Sequence, residues 1–388
     1  MSTPDRALPV PDRDAQAHSA RVVAHVRAEI ARNGGFISFA RYMELVLYAP
    51  ALGYYVAGAR RFGAAGDFVT GPELTPLYGG ALARQVEAIL AARSGGEVIE
   101  LGAGSGALAA SLLNEWAARN ALPRCYRILE VSPALREQQR TTIEAASPAG
   151  AGCVEWLDRL PSTIEGVVVM NEVLDAIPPR IVARRGSRWF ERGVCWRDDA
   201  LQWDERTLDD ARLRALAAAR FPVHGDYVSE INPAAEALVT TITRRIEAGA
   251  LLAIDYGFPR HEYYHPQRSE GTLVGHYRHR VHADPFLWPG LSDLTAHVDF
   301  TAIAEAGERT GMTVAGFATQ ASFLLGCGIL DRLNDVGAPD TVDYLRAAAS
   351  IQKLISPAEM GDLFKVLLLA RGDDHWRSLA VTDMSSRL

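Results

Sequence analysis

The segment Glu100-Leu101-Gly102-Ala103-Gly104-Ser105-Gly106 constrains this chain more than any other. It follows a β-like run, EVIEL at 97–101, and leads into a helical pattern over 106–119. Three glycines at alternate positions allow a tight strand-to-helix turn whose bare backbone can approach a ligand. The N–H groups opening the next helix favour an anionic group. The following β-like run, YRILEVS at 126–132, carries Glu130 near its end, where an acid can accept hydrogen bonds from a ribose diol. Strand, glycine loop, helix and second-strand acid together predict a nucleotide-type site on an α/β fold. The competing reading is a glycine turn that serves only strand–helix packing.

The same alternation extends along the chain. A helix at 76–92 (Leu77, Leu82, Val86, Ile89, Leu90) leads into EVIEL. After YRILEVS come a helix from Pro133 to about 145, a short VEWLD and the apolar run GVVVMNE at 166–172. Short apolar strands alternating with helices predict βαβ units and a mostly parallel sheet covered on both faces. Asn232-Pro233 starts a helix expected to run to 248, with Gly249 as its cap before LLAIDYG at 251–257. A helix at 299–310, MTVAGFAT, more helix and LFKVLLLARG close the pattern, so the expected core is 76–180, 232–257 and 299–372. Segments 181–231 and 258–298 break the rhythm and are expected to form a smaller substrate lobe. The first reads as two or three antiparallel strands with an Arg/Ala/Leu helix after them. Residues 1–16 read as a disordered tail. Residues 17–75 read as a helical N-terminal cap, with helices at 17–32 and 38–48, ending in a glycine- and proline-rich loop where Asp67 and Glu73 suggest a functional role. Residues 373–388 read as a C-terminal tail.

Composition excludes several classes. With 40 basic against 47 acidic residues the net charge is −7, which argues against a generic nucleic-acid or anionic-membrane binder. The longest apolar runs fall far short of the ~20 residues of a membrane span. The opening stretch has no apolar signal region, and the four cysteines (Cys125, Cys153, Cys195, Cys327) form no CxxC pair. Free thiols and a cytoplasmic location are therefore expected.

Two ligands compete for the glycine loop. Gly102, Gly104 and Ala107 fit the G-x-G-x-x-A variant of a dinucleotide site. Read instead as E-L-G-x-G-x-G, the segment resembles the first motif of class I S-adenosylmethionine (SAM) methyltransferases. Glu100 stands two residues before the first glycine, where those enzymes carry an acid. VEWLD falls where they hold adenine, with Trp156 or Leu157 against the ring. The fourth strand ends in Met170-Asn171-Glu172-Val173-Leu174-Asp175-Ala176-Ile177-Pro178, a polar cluster where methyl transfer would occur. The second reading is favoured.

Seven ordered motifs carry the resemblance to one family: GYY at 53–55, DFVTGPELTP at 67–76, ELGAGSG at 100–106, NEVLDAIP at 171–178, LAIDYG at 252–257, DLTAHVDF at 293–300 and MGDLFKVLLL at 360–369. Over roughly residues 20–370 the chain resembles the MidA family. Its mitochondrial members are complex I assembly methyltransferases. The resemblance implies a class I, Rossmann-like fold, SAM as methyl donor, and protein arginine methylation, for the mitochondrial relatives on the quinone-site peripheral subunit of complex I. It implies cofactor contacts from Gly102, Gly104 and Gly106, from Glu100, and from Glu130 on the ribose. The loop Thr70, Gly71, Pro72 and Glu73 would cover the methionine end of SAM, unless it is a plain turn. Asn171, itself also a cofactor contact, would face the acceptor together with Glu172 and Asp175. Carboxylates suit a guanidinium because they match its planar donors, and one of them could take the proton lost as nitrogen attacks. The alternative for Asp175 is a cap on a following helix. Other acceptors on the same fold, or a non-catalytic assembly factor, remain the competing functions.

Histidines crowd the second insertion. His261 and His265 lie four apart, and His276, His279 and His282 three apart, spacings that suit metal ligands on a helix. Pro259, Pro266, Gly271 and Gly275 break any such helix, and no metal site is expected.

Overall fold

The computed structural model describes residues 8–56, 70–91, 96–372 and 381–388. Asp67, residues 1–7 of the expected 1–16 tail and residues 373–380 of the expected 373–388 tail lie outside these residues. The chain divides into two compact units, Thr70–Asp175, Ala235–Tyr263 and His297–Leu388 in one, and Met1–Val69, Ala176–Ala234 and Tyr264–Ala296 in the other.

The first unit is built on a central sheet. Numbered along the chain, its main strands are Glu97–Leu101, Cys125–Leu129, Val154–Leu157, Ile164–Asn171, Ile246–Phe258, Thr313–Thr319 and Phe364–Arg371. Their spatial order is 3-2-1-4-5-7-6. Strands one to five are parallel, and the seventh runs antiparallel between the fifth and sixth. This is the mostly parallel, Rossmann-like sheet that the resemblance implies. The first strand and most of the fourth are fully buried, as near-continuous Val/Ile runs require when helices cover both faces. Helices Pro76–Ala91 and Ala107–Ala118 bury Leu82, Val86, Leu112 and Trp116 against Val98, Val167 and Leu252 of the sheet. The strand order reverses between strands one and four, so a crevice opens beyond their carboxyl ends. The glycine loop and the NEVLDAIP turn are the two connections that leave the sheet there.

One boundary differs from expectation. The helix after Asn232 ends at Thr243, and the fifth strand already begins at Ile246, so Gly249 is a strand residue and not a helix cap. Packing explains it. A Cβ on Gly249 (φ +138°) would come within 1.8 Å of the Gly166 carbonyl oxygen on the neighbouring strand. The glycine marks a close approach of backbones, which sequence shows no differently from a helix stop.

The second unit joins the N-terminal segment to both insertions. Arg180–Arg185, Arg188–Arg197, Ala200–Thr207, Tyr227–Ile231 and the short Ile37–Ser38 form an antiparallel sheet. Helices Arg13–Arg32 and Phe39–Tyr48 pack Val22, Val26, Phe39 and Tyr42 with Ile181, Val194, Val228 and Leu294 in one core. The first helix starts within the expected tail, because Asp12 caps it by accepting the Ala15 N–H at 2.9 Å. His261 lies in the single helical turn Arg260–Tyr263, but His276, His279 and His282 are not on a helix. Val274–Tyr277 and Arg280–His282 form a tight hairpin, with Arg278 and His279 both at positive φ in its turn. Among the described residues no three His, Cys, Asp or Glu side chains converge as metal ligands, and no helix is long and apolar enough to cross a membrane.

Candidate functional site

The glycine loop is shaped by backbone conformation. Gly102, Gly104 and Gly106 have φ of +67°, +53° and +87°, the left-handed region that side chains disfavour. A Cβ on Gly106 would also lie 3.0 Å from the Gln139 Cα, so the loop packs directly on the helix Pro133–Ala146. Beneath the loop, Glu100 is buried and accepts the Tyr126 hydroxyl at 2.6 Å. Burial pushes its carboxyl up to about 7. The described side-chain contact of Glu100 therefore lies inside the sheet.

Glu130 follows the second strand, its carboxylate held from two sides. Oε1 accepts the Ser132 N–H at 2.8 Å and Oε2 the Gln139 amide at 3.3 Å. Arg136 donates to the Glu130 carbonyl at 2.7 Å, and the Glu130 N–H donates to the Leu157 carbonyl at 3.2 Å. Trp156 donates its indole N–H to Gln139 Oε1 at 2.9 Å, and Arg140 lies over its ring at 4.9 Å. Glu130, Trp156 and Leu157 are thus brought to one side of the glycine loop.

Thr70 to Glu73 open a single helical turn, Gly71–Leu74, rather than an irregular loop. Glu73 accepts the Ser105 hydroxyl of the glycine loop. At the other end of the turn the Gly71 backbone lies close enough to the Glu172 carboxylate to favour its ionised form. The turn therefore spans from the glycine loop to the end of the fourth strand.

Asn171, Glu172 and Asp175 meet at that end. Tyr78 donates its hydroxyl to Asn171 Oδ1 at 2.7 Å, and Asn171 Nδ2 donates to Glu172 Oε1 at 3.1 Å, so the amide faces are assigned by their neighbours. Glu172 has φ +54°, a sparsely populated conformation for a residue with a side chain, of the kind that concentrates at functional sites. Burial, reinforced by the nearby Asp175 charge, pushes the Glu172 carboxyl up to about 8. No helix follows Asp175, because the chain turns directly into the strand Arg180–Arg185; the capping alternative is excluded. Asp175 is instead buried beside Glu172 and Asp255.

Three participants escaped the sequence reading. Asp255, at the end of the fifth strand, accepts the N–H groups of Val173, Leu174 and Asp175 at 3.1, 2.8 and 3.3 Å on a single oxygen. Its pKa is driven well up by burial and by the Asp175 and Glu172 charges. An acid at a strand end beside the switch point was a usable signal in LAIDYG. Gln139 sits in the polar stretch REQQR, where nothing distinguishes a buried amide from solvated neighbours. Tyr78 looked like one more apolar helix residue.

Comparison with known proteins agrees with this architecture. The profile of a family of S-adenosyl-L-methionine-dependent methyltransferases matches residues 79–318. A Burkholderia thailandensis methyltransferase-like protein, solved bound to S-adenosyl-homocysteine, is 49% identical, with a TM-score of 0.94 over 98% of this chain and 100% of that one. The zebrafish (Danio rerio) mitochondrial protein arginine methyltransferase NDUFAF7 is 28% identical over 381 residues, 89% of this chain and 85% of that protein. Its Drosophila melanogaster homolog is 27% identical over 401 residues, 95% and 89% of the two chains.

Proposed function

The chain belongs to the MidA family of S-adenosyl-L-methionine-dependent methyltransferases, and we propose that it methylates an arginine side chain of a protein. The residues present fit the donor. Three left-handed glycines leave bare backbone where a Cβ on Gly102 would already meet Val173 at 2.9 Å, and fixed acceptors stand beside them. In this reading Gly102, Gly104 and Gly106 hold the cofactor's centre, Glu130 its ribose, Trp156 and Leu157 its adenine side, and Thr70 to Glu73 with Asn171 its amino-acid end. When bound, SAM supplies an electrophilic methyl group on a sulfonium.

The observation that carries the arginine reading is the acidic end of the fourth strand. Glu172 and Asp175 lie buried close to Asp255, and burial together with the repulsion between neighbouring carboxylates disfavours their ionised forms unless a cation joins them. A guanidinium is such a cation, and its planar donors match a carboxylate edge. Glu172 would orient the attacking nitrogen and take the proton that nitrogen loses as its bond to the methyl carbon forms and the carbon–sulfur bond breaks. Asn171, fixed by Tyr78, holds the Glu172 carboxylate in place. The arginine specificity in the names of the mitochondrial relatives supports the same acceptor. The resemblance to the mitochondrial members suggests as protein partner the quinone-site peripheral subunit of complex I, and a cytoplasmic setting is part of the same proposal.

Mass spectrometry of a deletion strain, complemented with wild type or with Glu172→Gln, tests this. A methylarginine that disappears on deletion, returns with wild type and stays absent with the variant is expected. An unchanged protein methylome, or a lost methyl group on another side chain or a small molecule, would overturn the acceptor assignment.

A further inference from the structure

We propose that Gln139 is a positioning residue that sets the ribose selectivity of the cofactor site through Glu130. Gln139 is fully buried, and its amide joins three segments that the site needs in register. Its Oε1 accepts the Trp156 indole N–H at 2.9 Å; its Nε2 donates to the Gly104 carbonyl at 3.1 Å and to Glu130 Oε2 at 3.3 Å. The orientation of the amide follows from chemistry. An indole N–H can only donate, so the oxygen faces Trp156 and the NH₂ faces two acceptors. Every polar group of the side chain is then used, and no second orientation satisfies all three partners.

The surroundings make the link rigid. The Ser132 N–H already occupies Glu130 Oε1 at 2.8 Å, so the Gln139 contact decides how Oε2 is turned. The helix bearing Gln139 is pressed against the glycine loop at Gly106, where a Cβ would come within 3.0 Å of the Gln139 Cα. It is also tied to the second and third strands by Arg136, which donates to the carbonyls of Glu130 at 2.7 Å and Leu157 at 2.9 Å. A carboxylate held from both sides presents its remaining lone pairs in one direction, which is what recognition of a ribose diol requires. Gln139 itself touches no cofactor in this account; it acts through Glu130. The proposal rests on Glu130 as the ribose acceptor.

The test is a ratio of affinities, measured by calorimetry on the full chain with S-adenosyl-homocysteine and its 2′,3′-dideoxy analogue. Charge-assisted hydrogen bonds to the diol should make wild type prefer the natural ligand by about 10- to 10²-fold. Gln139→Met keeps the side-chain length and removes all three hydrogen bonds. The preference should fall below about threefold, with most of the change in binding of the natural ligand. A role confined to packing would weaken both ligands equally and leave the ratio at its wild-type value, which would overturn the proposal. Gln139→Glu, which keeps the acceptor for Trp156 but places a second acid against Glu130, should collapse the ratio as well and serves if the methionine variant does not fold. Glu130→Ala separates the two levels. If it abolishes the preference while both Gln139 variants retain it, only the positioning role falls; if it leaves the preference intact, the ribose assignment of Glu130 falls too, and the proposal with it.

Discussion

Glu172 combines a left-handed backbone, φ +54°, with a carboxyl pushed up to about 8, and both follow from where the fourth strand delivers it. Its N–H is spent on the Ile254 carbonyl at 2.8 Å, and the next three N–H groups are gathered by Asp255, which together hold the unfavourable conformation. Glu172→Gln should leave S-adenosyl-homocysteine affinity within a few-fold of wild type while lowering the transfer rate about 10²–10⁴-fold. Titration calorimetry and a transfer assay check the two halves separately. A guanidinium needs the ionised carboxylate, so kcat/KM for an arginine acceptor should rise from pH 6, reach half its maximum near pH 8 and level above about pH 9. Glu172→Gln should flatten that rise. Glu100 makes a separate prediction about stability. Its folded pKa of about 7 lies above the unfolded value of 4.5, so the folded state binds the proton more tightly. Stability is therefore lost as pH rises from about 4.5 to 7, by on the order of 3 kcal/mol from this group. Denaturant unfolding across that range should show the decline, and Glu100→Gln should reduce it.

At the scale of elements, the parallel core was readable because its signals are local. EVIEL, the alternating glycines and the apolar run before NEVLD each carry their own periodicity and turn chemistry, so strand and helix positions follow directly from them. What escaped depends on partners distant in sequence. Gly249 looks like a helix stop until the neighbouring strand is seen 1.8 Å from its missing Cβ. Gln139 looks solvated until Trp156 and Glu130 close over it, and the three-residue histidine spacing suits a helix until Val274–Tyr277 is seen paired with Arg280–His282. Two glycine substitutions separate site from scaffold. Gly104→Val introduces a β-branched side chain at φ +53°, and should abolish S-adenosyl-homocysteine binding while circular dichroism remains native. Gly249→Ala lies in the middle of the sheet, and should destabilise the chain by more than about 3 kcal/mol wherever it still folds. Normal binding by the first variant would remove the glycine loop from the site; native stability of the second would contradict the strand packing.

For the whole molecule, two sequence-distant turns, at 102–106 and 171–178, leave the same sheet at the point where its strand order reverses, and the turn at 70–74 contacts both. Donor and acceptor chemistry can then meet without either being built by one contiguous segment, as open α/β sheets allow. S-adenosyl-homocysteine should raise the melting temperature of the purified chain, since a ligand selective for the folded state stabilises it, and NADH should not. The most direct test of the account is methyl transfer from isotopically labelled SAM into the proteins of a deletion-strain lysate, followed by hydrolysis to amino acids. Wild type should place label on methylarginine of a discrete protein, Gly104→Val should place none, and Glu172→Gln should bind the donor yet transfer at about 10⁻² of the wild-type rate or less. Label on another amino acid or on a small molecule, or wild-type transfer by Glu172→Gln, would contradict it.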